Sequence, residues 1–475
     1  MIKDELIKPL EELVDNDLSL CGNKAKNLYI LQKNGLSIPR SWIILNVYIE
    51  ELLSNIMEGN GVPIDCFKEA RDIVSSLSYS LDSKLKRAVS NFAISKRKYV
   101  IRSSNVLEDK KNSSFAGMFT TYINESYTYN IFKSIISIWV ESFSERVYEA
   151  CKLYGITHIH PCSILIQELV NTDVGGVIFD DGEKQYLNSY YGQVKSVVDG
   201  VNEPDQWLIK DGTILEKKVV EKKSALYPVF SRSNPSNGDK FDLMHMGQGY
   251  QGIVKSINSY EGIIEINLPN TLLEDATLSD IHVIKIQQNA IKAKNLLGIE
   301  TFDIEWAIDD KGQFFFLQIR EVSRKIQYFN LLNDTQGIPL VSGEAIGIVQ
   351  YVFNEQDAIN FKDGSIILAD TINGAVIQAM VRAVGVLVVS KSMLSHSSII
   401  AREFGIPCVG LSSKFDIELD SLYKIDGTEG VFKKLGKNMY DLIRDDRKQY
   451  DKQDAIFKYA SFFDDLLVIP DEWLE

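Results

Sequence analysis

Apolar positions at helical spacing dominate residues 1–90, and one short run within them, 41–45, predicts a buried strand. A second buried strand is predicted at 99–101, ending abruptly at the Arg-Ser-Ser segment 102–104. Further along, 131–154 carries the hydrophobic stripe of one long amphipathic helix. The first part of the chain is therefore predicted to combine helices with a few buried strands.

The middle of the chain is richer in β-forming residues. Ser163–Val170 and Gly175–Phe179 are apolar runs that predict two adjacent strands. Residues 225–275 show no clear periodicity, and no elements are predicted there. Phe302–Arg320 predicts a β-hairpin around the turn 309–312, whose sequence is Asp-Asp-Lys-Gly.

The pattern changes again after the hairpin. Residues 321–342 form a candidate interdomain linker. Residues 343–435 alternate strand, helix and strand with glycine turns, as in a small α/β domain. Residues 436–475 are charged, helical in pattern and end in apolar pairs. The predicted fold class is α/β (α+β).

The chain has 475 residues, which predicts two to four domains at roughly one per 150 residues. A hydrophobic fraction of 45% and a charged fraction of 24% are typical of a globular protein and exclude a disordered or fibrous chain. No run approaches the ~20 apolar residues of a membrane helix, and the charged N-terminus predicts no signal peptide. The net charge of −14 argues against nucleic-acid binding, and five scattered cysteines predict reduced thiols in a cytoplasmic protein.

The segment Gly22–Lys26 places Lys24 and Lys26 in the first turn of a predicted helix. Positive side chains there oppose the helix dipole. A bound phosphate would reverse the effect, because free backbone N–H groups and an ammonium group would both face it. Taken alone, this segment is explained more simply by two solvated surface lysines.

Arg102 stands at the end of a predicted strand, and the loop 112–117 after it is rich in serine and glycine. Arginine can bind phosphate through two parallel hydrogen bonds, and small residues let the backbone approach a ligand closely. Pairing of Arg102 with Glu108 or Asp109 is the alternative, and the sequence does not decide between the two.

The predicted hairpin carries oxygen-bearing side chains on one face. With a four-residue loop, Asp303 would lie opposite Gln318, and Glu305 opposite Phe316. Asp303, Glu305 and Gln318 would then share a face, with Arg320 at its end. Oxygen ligands beside an arginine suit Mg²⁺ held jointly by protein and nucleotide phosphates. A polar surface face is the alternative, which the flanking apolar run disfavours.

A helix is predicted after the strand 384–389, with Ser395 as its N-cap and Gly405 just beyond its end. His396 would lie in the first turn, where the helix dipole keeps imidazole neutral and nucleophilic. The same N–H groups would hold a phosphoryl group placed on it. A buried capping histidine is the alternative. The other histidines, among them His282, are predicted to lack such a cap-and-strand context.

Several stretches together resemble the phosphoenolpyruvate synthase and pyruvate phosphate dikinase family. The similarity covers nearly all of 18–435 and keeps the family's order. The stretches that carry it are Gly22–Leu28, Tyr99–Asn124, Ser163–Phe179, Asp303–Trp306 with Leu317–Arg320, and Met393–Val409, which resembles the family's phosphohistidine motif.

This resemblance implies an ATP-grasp nucleotide-binding domain at 1–325, a linker at 326–342, a phosphohistidine swivel domain at 343–435 and a helical tail at 436–475. It also implies a role for ten residues. Those implied to bind ATP are Lys24, Arg102 and Arg320 at the phosphates and Gln167, Glu168, Leu169 and Val170 as the hinge near adenine; those implied to hold Mg²⁺ are Glu305 and Gln318; the implied phosphorylated nucleophile is His396.

The sequence departs from the family pattern in four ways. Tyr191–Lys195 stands where the family usually has a Gly-Leu-Gly-Glu run, Leu394 replaces a threonine, and Glu321 replaces a proline. No counterpart of the large pyruvate-binding barrel of phosphoenolpyruvate synthase is expected, because 436–475 is too short for one.

The leading hypothesis is a dikinase-type phosphotransferase that moves the β-phosphoryl group of ATP through His396 to a small-molecule acceptor other than pyruvate, releasing AMP and phosphate. The acceptor would dock on 225–275, on the tail or on a partner chain. A second hypothesis is the ATP-binding and phosphohistidine component of a two-chain pyruvate, water dikinase. A third is a catalytically inactive ATP-binding regulatory protein, against which the intact candidate residues argue. No nucleic-acid or membrane partner is expected.

Overall fold

A computed structural model describes most of the chain. The described residues are 6–59, 61–77, 83–92, 97–105, 121–125, 127–153, 155–200, 202–229, 235–258, 262–322, 337–390, 396–411 and 417–435. The predicted loop 112–117, residues 393–395 before His396 and the predicted tail 436–475 lie outside them.

The α-helices of the described residues are α1 (Asp15–Leu18), α2 (Gly22–Lys33), α3 (Val47–Leu53), α4 (Phe67–Ser76), α5 (Ser83–Phe92), α6 (Thr128–Ser142), α7 (Glu145–Leu153), α8 (Lys195–Val198), α9 (Asp280–Leu297), α10 (Glu355–Ile359), α11 (Gly374–Met380) and α12 (His396–Phe404). No helix in this part of the chain is both long enough and apolar enough to cross a membrane.

The strands of the described residues are β1 (Lys8–Pro9), β2 (Ser41–Ile44), β3 (Val62–Pro63), β4 (Tyr99–Ser104), β5 (Tyr122–Glu125), β6 (His158–Ile159), β7 (Ser163–Glu168), β8 (Thr172–Asp180), β9 (Gln185–Tyr191), β10 (Asp205–Lys210), β11 (Thr213–Lys218), β12 (Ser224–Pro228), β13 (Lys240–His245), β14 (Gln248–Asn258), β15 (Ile263–Asn267), β16 (Phe302–Asp309), β17 (Phe314–Glu321), β18 (Ile338–Val341), β19 (Glu344–Tyr351), β20 (Ile366–Ala369), β21 (Gly385–Val389), β22 (Cys408–Leu411), β23 (Leu422–Asp426) and β24 (Val431–Lys434). This mixture confirms the predicted α/β (α+β) class.

The first large sheet has the strand order β1-β2-β7-β4-β5, and all its pairs are antiparallel. The strand predicted from Tyr99 is β4, which includes the predicted end segment 102–104, and Ser104 pairs with Ser163 of β7. The single helix predicted at 131–154 is wrong. Phe143 is buried and its backbone, with φ of −114° and ψ of 33°, is not helical, and this break separates α6 from α7.

The second large sheet has the order β11-β10-β9-β8-β16-β17, again antiparallel throughout. It contains the predicted hairpin as β16 and β17, which confirms that prediction. The predicted adjacency of 163–170 and 175–179 is wrong, since β7 and β8 belong to different sheets. Leu169 N still donates to Lys98 O beside the first sheet, whereas Asn171 O accepts from Asp310 N beside the second. The segment between β7 and β8 therefore joins the two sheets.

Residues 225–275, for which no element is predicted, contain most of a four-stranded antiparallel sheet with the order β12-β15-β14-β13. Met246 and Gly247 form the turn between β13 and β14, and both have positive φ. The turn docks on β8, where His245 Nδ1 lies 3.1 Å from Asp173 Oδ1 and Met246 N donates to Asp173 Oδ2 at 3.0 Å. This sheet is thus fixed to the second large sheet.

The C-terminal region, 337–435, is built on a seven-stranded sheet with the order β18-β22-β21-β20-β19-β23-β24. The four central strands, β19 to β22, pair in parallel, and α10, α11 and α12 connect them. This confirms the predicted strand–helix–strand pattern. The linker predicted at 326–342 is wrong at its end, because Ile338–Val341 forms β18 and pairs with β22, burying Leu340 completely.

The C-terminal region and the N-terminal region, 6–322, share part of a hydrophobic core. Leu340, Met380 and Cys408 belong to the same cluster of buried side chains as the cores of the first two sheets. In addition, α11 packs against α7. The two regions are therefore in direct contact, and this contact brings α12 toward the second large sheet.

Candidate functional site

The start of α2 fits closely against the end of β4. Gly22 has a φ of +75°, and a β-carbon there would come within 2.2 Å of the Ser104 carbonyl oxygen, so only glycine permits this approach. Ser104 Oγ accepts a hydrogen bond from Ala25 N at 3.1 Å, and Asn23 N donates to Asn105 O at 3.5 Å. The end of β4 therefore accepts hydrogen bonds from two of the backbone N–H groups at this helix start.

The two lysines of this helix start differ in their surroundings. Lys24 is half-buried, and its Nζ lies 3.4 Å from Ser103 Oγ of β4. Lys26 is exposed to solvent. Asn27 on the same helix donates from Nδ2 to the carbonyl of Ile319 in β17 at 3.0 Å. Helix α2 therefore spans the gap between the two large sheets, and Lys24 is the lysine that faces it.

A buried arginine connects the two sheets at this gap. Arg102 of β4 donates from Nη1 to the Leu317 carbonyl at 3.2 Å and to Gln167 Oε1 at 3.5 Å. Its Nη2 donates to Glu305 Oε2 at 3.2 Å and to Gln318 Oε1 at 2.5 Å. We call these five residues the Arg102 cluster. Arginine suits this position because its planar guanidinium presents several donors in a fixed geometry.

A β-bulge in the hairpin shapes the cluster. The predicted register is wrong: Ile308 pairs with Phe314, and the extra residue Leu317 shifts the pairing again beyond it. Glu305 therefore lies directly opposite Gln318. A bulge of this kind leaves one residue out of the ladder and redirects its neighbours. Here it makes the two candidate Mg²⁺ ligands direct cross-strand neighbours and leaves the Leu317 carbonyl facing Arg102.

The neighbouring cross-strand pair is Asp303 with Arg320, where the prediction has Asp303 opposite Gln318. Arg320 Nε donates to Asp303 Oδ2 at 3.0 Å, and both side chains are buried. Burial raises the pKa of the Asp303 carboxyl, the charge of Arg320 opposes that shift, and the charge of Glu305 adds to it. The arginine implied to contact phosphate is thus paired with a carboxylate in this structure.

Three buried polar atoms at this site have no hydrogen-bond partner among the described residues. They are Arg102 Nε, Gln167 Nε2 and Asp303 Oδ1. A buried donor or acceptor left without a partner costs about 1–3 kcal/mol, so most are satisfied in folded proteins. Their convergence beside Glu305 and Gln318 fits a ligand that offers both acceptors and positive charge, as a nucleotide with Mg²⁺ does.

The four implied hinge residues separate in the structure. Gln167 belongs to the Arg102 cluster, whereas the Glu168 side chain turns to Arg97, with 3.4 Å between Oε2 and Nη1. Leu169 is buried, and the Val170 carbonyl accepts a hydrogen bond from Gln193 Nε2 at 3.3 Å. Leu169 and Val170 therefore lie in the segment that joins the sheets, and of the four implied hinge residues only Gln167, in β7, belongs to the cluster.

Gln193 is a residue at this site that the sequence analysis did not single out. It lies in the segment 191–195, which departs from the family pattern, and it donates to both Val170 O and Thr172 Oγ1. The glycine beside it is required, since a β-carbon on Gly192 would come within 2.1 Å of the Leu226 carbonyl oxygen. An amide next to a glycine that permits a tight contact is the one signal that could have indicated it.

His396 is the first residue of α12, which follows β21 as predicted, and Gly405 ends the helix with a φ of +68°. Next to it, buried Ser397 accepts a hydrogen bond at Oγ from Ile372 N at 3.0 Å, which fixes the helix start to the segment before α11. One of the other histidines shares the cap but not the preceding strand, because β15 ends at Asn267 and α9 begins only at Asp280. His282 also lies in the first turn of a helix, α9, whose N-cap Ser279 has its Oγ 2.8 Å from His282 Nδ1.

Two solved structures similar to this chain are, by name, an ATP-grasp ligase and a D-alanyl-alanine synthetase. ATP-grasp ligase PsnB is 10% identical, covers 62% of this chain and 51% of its own, and has a TM-score of 0.21. D-alanyl-alanine synthetase A from Vibrio cholerae is 10% identical, covers 63% of this chain and 55% of its own, and has a TM-score of 0.24. Structural similarity with TM-scores this low supports no conclusion about activity.

Sequence relatives cover more of the chain. Phosphoenolpyruvate synthase from Pyrococcus furiosus is 23% identical over 91% of this chain and 59% of its own length. The probable phosphoenolpyruvate synthase from Staphylothermus marinus is 26% identical over 71% of this chain and 44% of its own. The chain thus spans less than two thirds of the length of these curated relatives.

Two protein families match in chain order. Residues 361–430 match the family described as PEP-utilising enzyme, mobile domain, and they include α12 with His396. Residues 18–330 match the family described as pyruvate phosphate dikinase, AMP/ATP-binding domain, and they include the whole Arg102 cluster. Because this second match covers more than half of the chain, the protein belongs to the pyruvate phosphate dikinase AMP/ATP-binding domain family.

Proposed function

We propose that this protein is a dikinase-type phosphotransferase that moves the β-phosphoryl group of ATP through His396 to an acceptor and releases AMP and phosphate. The observation that carries the proposal is the Arg102 cluster. Its guanidinium joins Gln167 of one sheet to Glu305 and Gln318 of the other, inside the part of the chain that matches an AMP/ATP-binding domain.

On the nucleotide side, Lys24, Arg102 and Arg320 would bind the phosphates, and Glu305 with Gln318 would hold Mg²⁺. Bound Mg²⁺ supplies charge neutralisation at the phosphate oxygens. Arg102 now donates to both candidate ligands, so it would exchange these contacts for phosphate oxygens when the nucleotide binds. Gln167 would remain at the hinge side of the nucleotide, with Glu168, Leu169 and Val170 continuing the segment.

On the nucleophile side, a ring nitrogen of His396 would attack the β-phosphorus, and the bond to the oxygen that bridges the α- and β-phosphorus atoms would break, releasing AMP. Water would then take the γ-phosphoryl group as inorganic phosphate. The phosphoryl group left on His396 would pass to the acceptor in a second half-reaction. The position of His396 at the start of α12 supports this role, because helix N-termini favour bound phosphoryl groups.

The acceptor proposed is a small molecule other than pyruvate. A second candidate function, one component of a two-chain pyruvate, water dikinase, is favoured by the name phosphoenolpyruvate synthase that the relatives carry. Phosphoenolpyruvate formation from pyruvate and MgATP would support the second candidate. The assay needs a cell extract as the source of the second chain, because under that candidate the pyruvate site lies on the partner. A cytoplasmic location is part of the proposal, and the five free cysteines are compatible with it.

The test uses ATP labelled at either the β- or the γ-position. We expect the β label to remain on the protein in an acid-labile, base-stable form, and the γ label to leave as phosphate. His396→Asn should remove labelling while MgATP binding survives. His282→Asn is the matched control, because this histidine also lies in the first turn of a helix, and its labelling should equal that of the wild type.

Labelling from the γ-position alone would overturn the mechanism and direct attention to serine residues. A chain that binds MgATP but accepts neither label would instead be an inactive ATP-binding regulatory protein.

A further inference from the structure

Three side chains form a row across the second sheet, next to the row of Glu305 and Gln318. Phe179 of β8 lies opposite Asp303 of β16, which lies opposite Arg320 of β17. We call these three the Asp303 row. Residues two apart on a strand share a face, about 7 Å from each other, so the Asp303 row and the candidate metal ligands lie on the same face.

An arginine of the C-terminal region reaches this row. Arg402 of α12 lies with its Cζ 5.5 Å from the centroid of the Phe179 ring. It is buried, and its Nη2 lies 3.5 Å from the carbonyl oxygen of Leu340 in its own region. Its charge also lowers the pKa of Asp303, which places Arg402 within electrostatic range of that carboxylate. One side chain therefore contacts both regions beside the nucleotide site.

We propose that Arg402 is a positioning residue that holds α12 against the Asp303 row, and so presents the helix start that carries His396 to the nucleotide side. His396 begins the same helix, about 9 Å along the axis from Arg402 at 1.5 Å per residue. A helix of this length is rigid, so a contact at Arg402 also restricts its first turn. The role of this contact in presenting His396 rests on the proposed function, whereas the contact between Arg402 and the Asp303 row is independent of it.

The chemistry of the contact explains why arginine is needed. A guanidinium is planar and weakly hydrated, so it can stack on an aromatic ring and stay buried, whereas a lysine ammonium keeps its water more strongly. Because the contact is buried, we expect its loss to reduce the population of the docked arrangement by about tenfold or more.

The chain offers a matched control within the same region. Arg382 also lies over a phenylalanine, with its Cζ 5.8 Å from the Phe361 ring centroid, and donates from Nη1 to the Phe361 carbonyl at 2.7 Å. All of these partners belong to the C-terminal region. Substitution of Arg382 therefore tests for a general loss of stability without affecting the contact between regions.

The first measurement is the distance between the regions in the full chain. Spin labels would be attached at Lys210→Cys and Glu355→Cys, two exposed positions on opposite regions, in a Cys66→Ser background because the other four cysteines are buried. Double electron–electron resonance spectroscopy should give a narrow distribution of distances between the two spin labels for the parent and for Arg382→Met. For Arg402→Met, the distribution should broaden toward longer distances. An unchanged distribution, or equal broadening in both variants, would overturn the proposal.

The second measurement is the rate of labelling from β-labelled ATP. Arg402→Met should slow labelling by about tenfold or more with an unchanged dissociation constant for MgATP, while Arg382→Met should keep the parent rate. Phe179→Leu should slow labelling similarly, and the double variant Arg402→Met/Phe179→Leu should label no more slowly than Arg402→Met alone.

Loss of docking without slower labelling would overturn the positioning role. So would fully additive effects of the two substitutions on the labelling rate. If the parent accepts no β label, the proposed function fails, and the distance measurement still decides whether Arg402 docks α12.

Discussion

Two buried clusters of charged residues in the N-terminal region differ in how completely their polar atoms are hydrogen-bonded. In the cluster formed by Asp205, Val220, Lys222 and Thr277, each oxygen of the Asp205 carboxylate accepts two hydrogen bonds. Lys222 Nζ donates to Oδ1 at 2.7 Å and Val220 N donates to it at 3.0 Å; Thr277 donates to Oδ2 from its N at 2.8 Å and its Oγ1 at 3.0 Å. We call this the Asp205 cluster.

The Arg102 cluster and its neighbour Asp303 instead keep three buried polar atoms without a hydrogen-bond partner in the described part of the chain. Both clusters are buried, so the difference is not solvent exposure. A fully bonded ion pair stabilises one arrangement of the chain, whereas an incompletely bonded one retains the capacity to bind something else. The comparison predicts that substitutions in the first reduce stability and that substitutions in the second reduce function.

The largest expected effect is on turnover. Glu305→Ala removes the only carboxylate of the Arg102 cluster, and we expect AMP release from MgATP to become undetectable. The chain should stay folded, because one residue on one face of a hairpin is a small part of the core. Asp310→Ala, in the loop of the same hairpin, is the control and should retain the parent rate. AMP release by Glu305→Ala at the parent rate would show that Glu305 is not part of the site that acts on MgATP.

The next effect is on stability. Asp205→Ala leaves the Lys222 ammonium buried without its carboxylate, and both side chains are 0% exposed. We expect the free energy of unfolding to fall by about 3–5 kcal/mol in urea titrations. Glu203→Ala breaks the exposed ion pair with Lys218, with 3.0 Å between Oε1 and Nζ, and should cost less than about 1 kcal/mol. Equal losses in the two variants would contradict the distinction between the clusters.

The sequence predicted the elements of the Arg102 cluster better than their contacts. The hairpin of β16 and β17 was predictable because its strands are long, apolar and separated by a recognisable turn. Its register was not predictable, because Leu317 forms the bulge and, as an apolar residue, cannot be distinguished in the sequence from any other residue of the strand. Glu305 and Gln318 are direct cross-strand neighbours because of that bulge, so their pairing was not predictable either.

The Asp205 cluster could not be predicted at all. Asp205 and Lys222 are charged residues in segments without a marked pattern, and their burial follows from the assembly of β10, β12 and the segment around Thr277. The sheet formed by β12 to β15 escaped prediction for a related reason. Strands β13 and β14 bury only a few of their side chains, so the alternation of apolar and polar positions is weak.

A smaller effect is expected where α2 meets β4. Gly22→Ala forces a β-carbon against the Ser104 backbone at a positive φ, so α2 must shift away from β4. Gly35→Ala is the control, because Gly35 has a similar φ of +78° and nothing within 4 Å of its β-carbon position. We expect Gly35→Ala to cost about 1–2 kcal/mol of unfolding free energy from the backbone alone, and Gly22→Ala to cost clearly more. Equal costs would mean that the close contact with Ser104 is unimportant.

The smallest expected effect distinguishes the two lysines of α2. Lys24 is half-buried near Ser103 and the Arg102 cluster, whereas Lys26 is exposed. Lys24→Ala removes one positive charge from a partly desolvated position, so we expect the dissociation constant for MgATP to rise by about tenfold, which corresponds to ~1.4 kcal/mol. Lys26→Ala should leave that constant nearly unchanged, since exposed charges are screened by solvent and salt. Isothermal titration calorimetry of both variants measures the difference. Equal weakening by the two substitutions would indicate a general effect of net charge, and the phosphates would then have to lie away from the start of α2.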